Sequence, residues 1–383
     1  MTRPTTVTVH GRCDARFDAV REAFQAHINQ NFEIGAAAAA YVDGKLAVDL
    51  WAGYRDADRA QTWEEDILAC MMSTGKAMGC LCVLKLVDEG KIGLNAPVAK
   101  YWPEFAQAGK DAITVRQVLS HLSGLVFLDA LERGSISDYA ALRAAVEHQS
   151  AQWPPGTQPA YHTFTIGILN RELVYRVTGR AIADYWREEF AEPLGADFQI
   201  ALNEAEQARC AETICDPDHP FLALLMDTDN PVGRAWKALP EGADLAGFVN
   251  SSEGRTWGTP NVGFGNPRGL ARVYGVLACG GEFDGERILS EAILTEATTE
   301  IWNEEDAVLG VPVRHGLGFL LSGGALEFTG TPDTFAGLGA GGYVGVGVPS
   351  CRLGFACVGN RMAHALDEGP LSKALMSAMM SCF

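Results

Sequence analysis

Apolar residues at Phe17, Val20, Phe24 and Ile28 recur at helical spacing, which predicts an amphipathic helix over 17–28. Residues 34–54 then form two apolar stretches around Asp43-Gly44, a turn pair that predicts a β-hairpin. The first stretch contains Ala36-Ala37-Ala38-Ala39-Ala40, and side chains that small leave room for a helix to approach; the 17–28 helix is the candidate cover. From Thr74 to Glu89 apolar residues occur on nearly every side, and the run stops at Gly90. That pattern predicts a buried central helix with a glycine just past its end.

Between about Thr114 and Trp257 the pattern changes to helical periods, at 139–148, 164–178 and 182–190, broken at Trp153-Pro154-Pro155-Gly156 and Glu192-Pro193-Leu194-Gly195. A further helix is predicted over 269–279, strands over 316–321, 341–348 and 353–358, and a closing helix over 363–380. Strands at both chain ends with helices between them predict a mixed α/β (α+β) fold with one sheet closed by distant segments. Residues 1–113 and 258–383 would form the sheet domain and 114–257 a mainly helical one, with an active site at their junction. No internal repeat or low-complexity linker marks a clean cut.

The chain has 383 residues, 48% of them apolar, enough for one large core or two unequal ones. With 30 Lys+Arg against 48 Asp+Glu, the formal charge of −18 repels phosphate backbones and anionic lipid, so nucleic acid and membrane surfaces are not expected partners. No apolar stretch approaches the ~20 residues of a membrane-spanning helix, and the first residues lack the apolar core of a secretory signal, so a cytoplasmic location is the expectation. The ten cysteines contain no C-x-x-C pair and are expected as packed thiols. The eight histidines show no zinc-ligand spacing, so neither a metal nor another cofactor is expected.

Ser73-Thr74-Gly75-Lys76 opens the predicted buried helix. Residues three apart on a helix share a face, so a serine hydroxyl and a lysine amine meet there. A serine in the first turn also lies near unpaired backbone N–H groups and the positive end of the helix dipole, which favour developing negative charge. Burial disfavours the ammonium form of a lysine and makes it a usable base. Alone, S-x-x-K is a weak pattern, and a serine N-cap followed by a solvated lysine is the simpler reading. About ninety residues on, Pro154-Pro155-Gly156-Thr157-Gln158-Pro159-Ala160-Tyr161 sets a tyrosine after a turn, where a phenol relays a proton between serine and leaving group.

Several ordered segments resemble the serine β-lactamase and penicillin-binding-protein-like hydrolases, especially their family VIII carboxylesterase branch. They are Ser73 to Lys76, Lys85 to Val98, Ile113 to Leu125, Pro155-Gly156 to Tyr161, and Arg268-Gly269-Leu270-Ala271-Arg272-Val273-Tyr274, and the resemblance they carry extends over nearly the whole chain. The resemblance implies a β-lactamase/transpeptidase-like fold, with an antiparallel sheet flanked by helices. It also implies Ser73 as acylated nucleophile, Lys76 as its base or proton shuttle, and Tyr161 as the second-motif tyrosine. Where lactamases of this group carry Y-x-N, this chain reads Tyr161-His162-Thr163. Where relatives have His-Thr-Gly on a strand edging the site, it reads Gly337-Leu338-Gly339, so the cation that grips a substrate carboxylate is missing. The resemblance places an oxyanion donor at the N–H of Ala340, after Gly339 and beside that of Ser73; a backbone donor needs no particular side chain.

Gly337, Gly339 and Gly342 also spell G-x-G-x-x-G, but they lie near the C-terminus and run into strand-like text, so dinucleotide binding is rejected in favour of close backbone approach. His121 and Ser123 fit a helix-ending turn, and His162 stays outside the catalytic set. Trp153, Trp236, Trp257 and Phe335 are candidates for apolar walls, although most such aromatics are core. The expected activity is carboxylic ester hydrolysis on a small-molecule substrate, with acyl transfer, β-lactamase or D-aminopeptidase chemistry, or a non-catalytic binding role as alternatives. The oligomeric state stays open.

Overall fold

Alternation along the hairpin sends Ala36, Ala38 and Ala40 to one face and Ala37, Ala39 and Tyr41 to the other, and the two sets lie in different hydrophobic cores. In the computed structural model, which describes residues 7–30, 32–239, 245–363 and 367–383, this hairpin belongs to a nine-stranded antiparallel sheet. Its strands are β1 (His10–Cys13), β2 (Gly35–Val42), β3 (Lys45–Gly53), β4 (Trp302–Glu305), β5 (Pro312–His315), β6 (Leu320–Gly324), β7 (Phe335–Gly339), β8 (Tyr343–Val348) and β9 (Leu353–Gly359). They lie in the order β1-β3-β2-β9-β8-β7-β6-β5-β4. The sheet is closed by β2 against β9, in register from Leu353 opposite Val42 to Gly359 opposite Ala36, so the two chain ends meet in its middle.

Seven of the helices matter for the layers around the sheet: α1 (Asp18–Ile28), α2 (Thr74–Asp88), α3 (Val115–Leu119), α4 (Tyr139–His148), α5 (Thr165–Thr178), α6 (Pro267–Ala278) and α7 (Gly369–Met380). Phe17, Val20, Phe24 and Ile28 meet the alanine face together with Leu371, Leu375 and Met379 of α7, as the small side chains of β2 lead one to expect. On the other face α6 lies along β2, β8 and β9. Beyond it α2 runs between the end of β7 and α5, and residues 74–84 of α2 are all buried. Gly90, with φ of +71°, ends the helix, a conformation glycine adopts without steric penalty.

Several elements differ from their expected bounds. The strand expected over 316–321 begins only at Leu320, because Gly318, at φ of +81°, turns its N–H to the Leu119 carbonyl at the end of α3. The helix expected over 182–190 is α-helical only through Ile182–Trp186 and then widens into a π turn over Arg187–Ala191. The closing helix starts at Gly369, and the earlier residues 364–366 of that expectation lie outside the described residues. Strands β1, β4 and β5 carry no clear apolar alternation and were not expected, and β7 was expected from the resemblance alone. No disulfide joins the ten cysteines. No helix among the described residues is long and apolar enough to cross a membrane.

Candidate active site

The nucleophile candidate sits on a sharp turn between a strand and α2. Met71 donates its N–H to the Gly263 carbonyl at 2.8 Å, and Gly263 returns its own N–H to Met72 at 3.0 Å, which fixes the approach. Met72 then adopts a left-handed φ of +47°, uncommon for a residue with a side chain, and the chain enters the helix at Ser73. Ser73 occupies the N-cap position, yet its hydroxyl makes no capping bond. Instead its Oγ accepts a hydrogen bond from Lys76 Nζ at 2.8 Å, one turn along the same face.

Lys76 is only 5% exposed. Its second partner is the backbone carbonyl of Asn261, at 3.1 Å, and neither partner is an anion. Burial in these surroundings lowers the amine to about 7, only weakly opposed by the Cys80 thiol one turn on. The reading of Lys76 as a solvated first-turn side chain is therefore excluded. A neutral amine hydrogen-bonded to a hydroxyl at a helix N-terminus is able to take its proton.

Tyr161 faces this pair. Lys76 Nζ lies 5.3 Å from the centre of its ring. Burial raises the phenol above its ordinary value, and hydrogen bonding to Ser73 acts in the opposite direction. The loop carrying Tyr161 rests on a group of buried histidines. His121 is tilted against the Tyr161 ring with centroids 5.3 Å apart, and His315 meets His121 edge-on at 4.7 Å. The His162 ring turns inward, where its Nε2 meets Ser123 Oγ at 2.6 Å. Burial holds all three neutral, lowering His162 to about 3, His315 to about 4 and His121 well below its ordinary value. The same loop is tied down by Asp306, whose carboxylate accepts the N–H groups of Val308 and Leu309 at 2.8 and 2.9 Å and interacts with the backbone N–H of Tyr161.

The end of β7 closes the remaining side. A Cβ on Gly339 would stand 2.3 Å from the Met71 carbonyl oxygen, so only glycine lets the strand abut the nucleophile turn. Gly337, two residues earlier on the same face, looks onto Tyr274: a Cβ there would lie 2.6 Å from the Tyr274 hydroxyl and 3.6 Å from the Cα of Thr74. The Tyr274 phenol thus fills the space from which a basic side chain at 337 would start. Gly337 and Gly339 lie in a strand and open no helix, as the rejection of dinucleotide binding requires.

Of the candidate aromatic walls, Phe335 is core, stacked on Tyr274 at 5.7 Å and edge-on to Phe319 at 5.2 Å. Trp236 and Trp257 pack around Phe164 at 5.5 and 5.8 Å, while Trp153 donates its indole N–H to the Gln158 carbonyl and braces the loop before Tyr161. Asn261, Asp306 and His315 were missed from the sequence. Asn261 acts through its backbone carbonyl, which no residue type announces; Asp306, just after β4, reaches the Tyr161 backbone, and His315, at the end of β5, packs on His121, both from far along the chain. No group of three or more His, Cys, Asp or Glu among the described residues is arranged to hold a metal. A cleft of about 480 Å³ lined by Phe328, Val344, Lys373 and Met376 lies beneath α7, away from Ser73.

Comparison with known proteins gives this geometry a context. A profile of the Beta-lactamase family matches residues 20–375. Esterase/beta-lactamase LipL of Mycobacterium tuberculosis is 31% identical over 372 residues, covering 94% of this chain and 84% of that protein. A solved structure of a family VIII carboxylesterase superposes with a TM-score of 0.90 at 34% identity, covering 98% of this chain and 100% of that one. A penicillin-binding protein homologue from Caulobacter crescentus gives a TM-score of 0.89 at 34% identity with the same coverage. Family match, fold and the Ser73–Lys76 pair agree along the length of the molecule: the chain belongs to the Beta-lactamase family and is a serine hydrolase of the β-lactamase fold.

Proposed function

We propose that this hydrolase is a carboxylesterase that works through an acyl-enzyme on Ser73. The observation that carries the reading is the 2.8 Å hydrogen bond from a buried, uncharged-partnered Lys76 to the Ser73 hydroxyl at the start of α2. As Oγ attacks the ester carbonyl, Lys76 takes its proton, and the N–H groups of Ser73 and Ala340 receive the charge on the carbonyl oxygen. Collapse of the tetrahedral adduct breaks the bond to the alcohol, whose oxygen takes a proton passed from Lys76 through Tyr161. Water then attacks the acyl carbonyl, losing a proton to the same groups; the bond to Ser73 Oγ breaks, that oxygen takes the proton back, and the acid is freed.

Two features support an ester over an amide substrate. Gly337 offers no cation for a carboxylate, and the Tyr274 hydroxyl beneath it leaves no room for one. The similar family VIII carboxylesterase points the same way, while the similar LipL is described as esterase/beta-lactamase and fits either substrate. The test measures p-nitrophenyl butyrate hydrolysis and nitrocefin turnover side by side, with added alcohols or amines to intercept the acyl group. Hydrolysis far exceeding nitrocefin turnover is expected. Equal or greater nitrocefin turnover would assign a β-lactamase, and products formed mainly with the acceptor would assign an acyltransferase.

A further inference from the structure

His121 is left unused by the mechanism above, although it is buried, in contact with Tyr161 and held in an unusual backbone conformation. It follows the short helix α3, and its φ of +58° is left-handed. A helix-ending turn accounts for that value in part, but glycine or asparagine satisfies such a turn with less strain, and a histidine there needs another reason. The reason lies in what the residue holds. Its carbonyl accepts the N–H of Ala160 at 3.1 Å, and its ring Nδ1 accepts the N–H of His162 at 3.0 Å. One residue therefore grips the chain immediately before and immediately after Tyr161, while its ring lies tilted against the Tyr161 ring.

The neighbouring bonds fix which nitrogen does this. His162 Nδ1 lies 2.8 Å from the Ala160 carbonyl and 3.2 Å from His121 Nδ1, so its proton points toward both, and its Nε2 accepts the Ser123 hydroxyl. That assignment leaves His121 Nδ1 as an acceptor and puts its proton on Nε2. His315 closes the other side of the ring, itself stacked on Trp302 at 5.4 Å, and the Trp302 indole donates to the Ser120 carbonyl at 2.6 Å. The ring is thus clamped by groups from β4 and β5, and it transmits that rigidity to the tyrosine loop.

We propose that His121 is a positioning residue for Tyr161, acting through its Nδ1 acceptor and its carbonyl to hold the phenol at the distance from Ser73 and Lys76 that proton transfer needs. The proposal rests on the reading of Tyr161 as the proton relay. Asparagine is the informative replacement, since its Oδ1 sits where histidine carries Nδ1 and it tolerates the left-handed backbone; glutamine places its oxygen one bond farther out.

The experiment compares His121→Ala, His121→Asn and His121→Gln in p-nitrophenyl butyrate hydrolysis, with rates normalised to the protein that a fluorophosphonate labels at Ser73. His121→Ala and His121→Gln are expected to lower kcat about 10- to 100-fold with KM within about 2-fold, and His121→Asn to return to within about 3-fold of wild type. In a Tyr161→Phe background, His121→Ala is expected to change kcat by less than about 2-fold, because the group it positions is gone. A merely structural residue would slow both backgrounds alike, and that result overturns the proposal. Should His121→Ala fail to fold, equal kcat for the Asn and Gln variants overturns it as well. The underlying reading fails differently: Tyr161→Phe would then hydrolyse the ester as fast as wild type.

Discussion

Ser73 and Lys76 reach each other across a single turn of α2, whereas Tyr161 stands on a loop set by His121, Asp306 and His315, groups separated from it by tens of residues. The first half of the site is built by helix periodicity and by burial, which together fix a 2.8 Å hydrogen bond and an amine near 7. The second half has no regular element to hold it and relies on hydrogen bonds to backbone N–H groups on either side of the tyrosine. A local pair is robust because its geometry comes with the helix. A loop residue needs its own frame, and that frame is spread over strands and turns that carry no chemistry themselves.

Breaking the local half is expected to have the largest effect. Ser73→Ala should lower p-nitrophenyl butyrate turnover by about 10⁴-fold or more, leaving only the acceleration that binding and oxyanion donors supply. Lys76→Met follows, at about 10³-fold in kcat, and it also tests the electrostatics. Because the reacting form is the free amine, kcat/KM of the wild type should fall as pH drops below about 7, roughly tenfold per pH unit, and this limb should vanish in the variant.

Stability should move in the opposite direction. Lys76 in the folded protein titrates at about 7, below its ordinary value of 10.5, so folding expels a proton between about pH 7 and pH 10.5, while below pH 7 the ammonium stays and its burial costs the full amount. The resulting penalty is full below pH 7, fades as the pH rises toward 10.5, and is on the order of several kcal/mol. Lys76→Met should therefore raise the Tm, by more at pH 6.5 than at pH 9.5.

On the other half, Tyr161→Phe keeps the ring against His121 and Lys76 but removes the proton relay. It should lower kcat about 10²-fold with little change in Tm. The smallest effect is expected at the edge without a cation. Gly337→His must displace the Tyr274 hydroxyl 2.6 Å away, so it should reduce stability by about 1–3 kcal/mol and leave nitrocefin turnover no higher than in the wild type. A gain in nitrocefin turnover would show that residue 337 alone sets the choice between ester and amide.

Legibility in the sequence followed the same division. The three-residue spacing of Ser73 and Lys76, the apolar run behind them and Gly90 at its end are local signals, and α2 and its hydrogen bond agree with them. The alanine strand and its covering helix were equally readable, because residue size and period both survive folding. Trp302–Glu305 was not read as a strand: three of its four residues are polar and exposed at the sheet edge. Phe335–Gly339 was legible only through the resemblance, since its glycines answer to Met71 and Tyr274 across the core and carry no strand propensity. His121 was legible as a turn and illegible as a support, because the bond to His162 N–H spans 41 residues.

The central claim, an acyl-enzyme on Ser73 formed with Lys76 as base, is tested most directly by intact-protein mass after brief mixing with p-nitrophenyl butyrate, followed by peptide mapping. The account predicts a transient butyryl adduct on the peptide containing Ser73, absent in Ser73→Ala and much slower to form in Lys76→Met. Rapid p-nitrophenol release by Ser73→Ala, or an adduct that maps to another residue, would contradict it.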